Sequence, residues 1–191
     1  MSASRGGTEL KDETHRVRVG LKGPRAPEWL EELGCVLPAL SNSWRAIHDQ
    51  SDSIIARLGS TEFFLEESLP GAFVAQVSDA LRAPVEGVYS VLREDRAFVL
   101  SGIEADDVLA QVCNVEFKRV SRSERHVVMT MMIGIAVLVI PQDGKWGQSP
   151  FSDEQEMGIV PAANGGCYRI WCDPSYGDYL WSSLQDVMRG A

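Results

Sequence analysis

Fourteen consecutive residues, Val127–Ile140 (VVMTMMIGIAVLVI), carry no charge and a single hydroxyl. The run is shorter than the ~20 residues a membrane-spanning helix needs. Gly134 sits near its middle and Pro141 closes it. Two buried strands, or one long bent strand, therefore account for it best. Whatever this chain folds into must bury that strand surface, so a sheet lies at its core.

The rest of the sequence supplies partners for such a sheet. Trp44–His48 alternates, and Ile54–Leu58 and Phe63–Leu65 flank Gly59-Ser60, which predicts a hairpin. Val85–Val91 and Ala97–Leu100 read as strands joined by a polar turn at Arg93–Arg96, and Cys167–Cys172 alternates as a further strand. Helices are expected over Pro27–Gly34, Phe73–Leu81, Ser101–Cys113 and from Asp173 to Gly190. Ser101 and Glu104 have capping-box spacing, and Asp173-Pro174 pairs a capping acid with a proline at the first helical position. Strands followed by helices, with no 20–50-residue repeat, point to an α+β fold with a mixed or antiparallel sheet. Residues 1–15 read as a flexible N-terminal tail and 16–191 as one domain, with a long surface loop at about 142–166.

At 191 residues, 45% hydrophobic and 24% charged, the chain can form a core without a disulfide or a structural metal. Its formal net charge of −9 argues against binding nucleic-acid phosphates. The first fifteen residues lack the apolar core of a signal peptide, and a cytoplasmic location is expected. Cys35, Cys113, Cys167 and Cys172 form no C-x-x-C pair, and His15, His48 and His126 are scattered, so no zinc spacing exists. Free thiols in a reducing compartment are expected.

Catalytic motifs are missing. There is no G-x-S-x-G, and Ser101-Gly102 reads as a helix cap, not a nucleophile elbow. Neither G-x-G-x-x-G nor G-x-x-x-x-G-K-[ST] occurs, so no dinucleotide or phosphate loop is present. Glu104, Asp106 and Asp107 suit a helix N-terminus better than a metal site, because consecutive side chains on a helix point in different directions. No catalytic, cofactor-binding or metal residue is assigned. The last helix carries Leu180, Leu184 and Val187 together with Tyr176, Tyr179 and Trp181. Aromatics on several sides of one helix need more burial than one core provides, which makes Tyr176, Tyr179 and Trp181 candidate interface residues.

Two blocks carry a family resemblance. The first comprises Val85–Val91, Arg96–Gly102 (RAFVLSG), Ala105–Ala110 and Cys113–Phe117; the second comprises Tyr168–Trp171 and Ser175–Leu184 (SYGDYLWSSL). Together they resemble the γ subunit of heterotetrameric sarcosine oxidase. Asn114 stands where a proline is usual, Ser183 where a second tryptophan is common, and the 142–166 loop is long for the family. The resemblance implies a fold similar to the N-terminal folate-type domain of glycine-cleavage aminomethyltransferases. It implies a non-catalytic subunit with no cofactor of its own. Its partners would be α, β and δ subunits, chiefly α, and those would hold NAD, FAD, FMN, zinc and tetrahydrofolate. Such a complex demethylates sarcosine or a similar secondary amine oxidatively and passes the one-carbon unit to tetrahydrofolate. Two alternatives stay open. One is a stand-alone folate-binding or one-carbon-transfer protein, for which Asp106 or Asp107 with Tyr89 would be the acid–aromatic pair. The other is the same subunit type in an N-methylglutamate or other methylated-amine dehydrogenase complex.

Overall fold

The computed structural model describes residues 1–48, 52–143 and 165–190. Along them run β1 (Ser2–Arg5), β2 (Thr8–Asp12), β3 (Val17–Lys22), α1 (Ala26–Glu32), β4 (Ser43–Ala46), β5 (Ile54–Arg57), β6 (Glu62–Glu67), α2 (Ala72–Ala80) and β7 (Tyr89–Val91). They are followed by β8 (Arg96–Gly102), α3 (Ala105–Val112), β9 (Val128–Met132), β10 (Ile135–Asp143), β11 (Gly166–Cys172) and α4 (Gly177–Gly190). Short 3-10 turns occupy Phe117–Arg119 and Pro174–Tyr176. The fold is α+β, and among the described residues every strand pairing is antiparallel.

The chain divides into two compact units, one of Met1–Thr14 with Asp95–Ala191 and one of His15–Glu94. This corrects the expectation of a flexible tail followed by one domain. The first unit holds a six-stranded sheet in the order β1-β2-β8-β11-β10-β9, and the second a five-stranded sheet in the order β4-β5-β6-β3-β7. The supposed tail is a hairpin. Thr8 and Leu10 point inward and are buried, while Lys11 is exposed, a period-2 signal too short to stand out among polar residues. Gly6-Gly7 forms its turn with φ of 59° and 82°, the geometry of a tight hairpin and not of a loose linker. The Arg93–Arg96 segment also differs from expectation. β7 pairs with β3 and β8 with β2 and β11, so the chain passes there from one unit to the other.

In the first unit, alternate residues of the sheet (Leu10, Phe98, Leu100, Val137, Val139, Tyr168, Ile170, Cys172) meet Ala105, Val108, Leu109 and Val112 of α3 and Leu180, Leu184 and Met188 of α4. The apolar run forms β9 and β10, with Ile133-Gly134 at the turn between them (φ 44° and 83°). Pro141 does not end the strand, because β10 continues opposite β11 to Asp143. Pairing with β9 has already stopped at Val139, so the proline interrupts no ladder on that side. Residues 144–164 of the expected surface loop lie outside the described residues.

The second unit repeats the arrangement on its own sheet. Val19, Leu21, Ile55, Phe63 and Leu65 meet Ala26, Trp29 and Leu30 of α1 and Phe73, Val74 and Val77 of α2. Buried charge stays paired here. Glu66 takes Arg16 Nε at 3.1 Å and Arg18 Nε at 2.5 Å, and Arg16 Nη1 reaches Asp52 at 2.7 Å. Glu67, also buried, accepts the Val74 backbone N–H at 2.7 Å and so caps the first turn of α2.

Candidate functional site

α4 follows directly from the central strand β11 and is amphipathic at helical period. Gly177, Leu180, Leu184 and Met188 are buried, whereas Asp178, Tyr179, Ser182, Asp186 and Arg189 are exposed. Its approach is set locally. Asp173 accepts the Ser175 backbone N–H at 2.9 Å and its hydroxyl at 2.5 Å, which fixes the 3-10 turn and holds the Asp173 carboxyl below its usual range. Gly177 then seats α4 against Arg96, where a methyl group would collide with the arginine stem. Arg96 itself bridges Asp12 at 3.3 Å and Asp178 at 3.2 Å. The helix therefore begins one turn later than Asp173-Pro174 suggested.

The three aromatic residues singled out in the sequence separate. Tyr176 and Tyr179 are 53% and 56% exposed and lie one turn apart. Trp181 turns inward, packs on the core and meets Phe98 with ring centroids 5.4 Å apart. The two tyrosines are bordered by Asp173, Asp178 and Asp186, which gives the face an acidic rim.

A second cluster lies at the start of α3. Tyr168 on β11 donates its hydroxyl hydrogen to Asp106, a very short contact. Arg122 Nη2 donates to Asp106 Oδ1 and Oδ2 at 2.9 and 3.1 Å and to the Tyr168 oxygen at 3.0 Å. Burial pushes the Tyr168 phenol above its ordinary range, and the bond to Asp106 pushes the same way. Tyr168 therefore stays protonated. Gly166 leaves the room this requires, since a side chain there would strike the Tyr168 ring and the Asp106 carboxylate. The cluster ties the segment before β9 to α3 and the sheet. Sequence reasoning missed Tyr168 and Arg122, although the alternation of β11 places Tyr168 on the same face as Ile170 and Cys172, where a hydroxyl needs a partner.

Asp107 is exposed and holds Lys118 at 2.5 Å, while Tyr89 is exposed on the edge strand β7 of the other unit. Asp106 Oδ1 thus accepts from both Tyr168 and Arg122, and Oδ2 accepts from Arg122. The capping box is also replaced. Ser101 lies within β8 opposite Glu9 and Cys167, and the Glu104 N–H is met at 3.0 Å by Thr8 Oγ1 from β2. Among the described residues, no three His, Cys, Asp or Glu side chains gather as a metal site, and no helix is long and apolar enough to cross a membrane. All four cysteines are buried, and burial pushes the Cys35 and Cys172 thiols up to about 11.

Against known proteins, no family model matches the chain, and no curated protein matches it by sequence. Solved structures do match. Heterotetrameric sarcosine oxidase from Corynebacterium sp. U-96, in complex with pyrrole 2-carboxylate, aligns at TM-score 0.68 and 19% identity, covering 98% of this chain and 87% of the matched one. Glycine cleavage system aminomethyltransferase T from Bartonella henselae aligns at TM-score 0.63 and 16% identity, covering 94% of this chain. This chain spans only 46% of that aminomethyltransferase. The fold is therefore the one these two proteins share.

Proposed function

We propose that this chain is the small, non-catalytic γ-type subunit of an amine-oxidising complex related to heterotetrameric sarcosine oxidase. The supporting observation is co-extension. The chain aligns over nearly its whole length with 87% of one chain of that heterotetramer, but with less than half of the aminomethyltransferase. In this reading it is a cytoplasmic protein that holds no cofactor. It packs on the large α subunit, while FAD, FMN, NAD, zinc and tetrahydrofolate belong to the other subunits. The stand-alone folate reading is weakened by the engagement of Asp106 with Tyr168 and Arg122.

Purification of the tagged full chain from its own cells, under native conditions and with flavin absorbance recorded, tests the proposal. Stoichiometric co-purification of a flavin-bearing chain and a large chain, with sarcosine or another secondary amine oxidised by the eluate, is the expected result. A lone colourless chain that binds tetrahydrofolate would overturn it.

A further inference from the structure

Within the proposed subunit reading, the geometry of α4 points to the kind of surface that meets it. We infer that Tyr176 and Tyr179 form the centre of the docking face, and that the partner chain presents arginine or lysine side chains to it. Tyr176, at the end of the 3-10 turn, and Tyr179, on α4, are more than half exposed, although α4 buries Leu180, Leu184 and Met188 completely or nearly so. Tyrosine is suited to this place, since it offers a large contact area for the loss of two side-chain torsions and keeps a polar tip.

Charge selects the partner. Asp173 and Asp186 flank the tyrosines, and Asp178 remains 92% exposed even while it holds Arg96. Two cations offset part of this charge, Arg96 at 3.2 Å from Asp178 and Arg189 at 3.0 Å from Asp186, and the three carboxylates still leave the face acidic. A guanidinium approaching this face can stack over a tyrosine ring and reach a carboxylate at the same time. A second copy of the same face would instead bring acid against acid, which disfavours self-association.

The test uses the intact complex. A photo-cross-linking phenylalanine analogue replaces Tyr179 in the full-length chain, with the same analogue at exposed Gln111 as control. The isolated complex is irradiated and the joined peptides are sequenced. A cross-link from position 179 to an Arg- or Lys-bearing surface peptide of the large partner chain is expected, with none from position 111. In parallel, Tyr176→Ala with Tyr179→Ala should weaken assembly about 30-fold or more, the effect of a genuine hot spot. Asp186→Lys should slow association several-fold and flatten its salt dependence. A complex that forms normally with the double variant, or a cross-link to a second copy of this chain, overturns the docking face and leaves the subunit reading standing. Failure to recover any complex from wild-type cells overturns both.

Discussion

Tyr168 and Tyr179 sit on consecutive elements of one unit and are treated oppositely by the fold. Tyr168 is wholly buried, with its hydroxyl held between Asp106 and Arg122, whereas Tyr179 stands more than half in solvent one turn from an equally exposed Tyr176. A strand in the centre of a sheet leaves its inward residue no choice but burial, so the polar tip must find a partner. A helix at the rim has a second face, and what it carries there is available to another protein. The same residue type is a bolt in one place and a handle in the other.

That contrast can be broken most directly on α4. Leu184→Ala, on the buried face, should cost about 2–5 kcal/mol of stability in urea titrations, while Tyr179→Ala in the isolated chain should stay within about 0.5 kcal/mol. A large loss with Tyr179→Ala would make it a core residue and remove the distinction. Tyr168→Phe should cost about 1–3 kcal/mol, because Asp106 loses a donor in a half-buried site; Tyr176→Phe should leave the same titration unchanged. Cys35 and Cys172, with thiols at about 11, should resist Ellman's reagent at pH 8 in the folded protein and react at once in denaturant. Rapid native labelling of Cys172 would show that the core around β11 opens, and of Cys35 that the core of the second unit does.

The smallest effect concerns Asp12, at the end of the β1–β2 hairpin. Burial opposes its ionisation, but hydrogen bonds from Thr14 and the nearby Arg96 outweigh this and leave its carboxyl below the ordinary 3.8. A depressed folded value means that its contribution is complete above 3.8 and disappears as pH falls through that lower value. Asp12→Asn should therefore lower stability at pH 6 and matter progressively less toward pH 3, as chemical denaturation at the two pH values would show. Equal losses at both would point to a packing effect and not to charge.

The sequence by itself determined the periodic parts. The apolar run had to become buried strand and the spacing of Leu180 and Leu184 had to make one face of a helix, because strand and helix periods are local properties of the chain, whereas the structure decided between two strands and one bent strand by turning the chain at Ile133-Gly134. Tertiary structure decided what depended on distant partners. Thr8 caps α3 across 96 positions where Ser101 had looked sufficient, and the Gly6-Gly7 segment became an edge hairpin because β8 was there to receive it. Likewise Trp181 joined the core because Phe98 lay opposite, while Tyr179 stands more than half exposed. A residue's period is written in its neighbours along the chain, but its partner is fixed only when the elements pack.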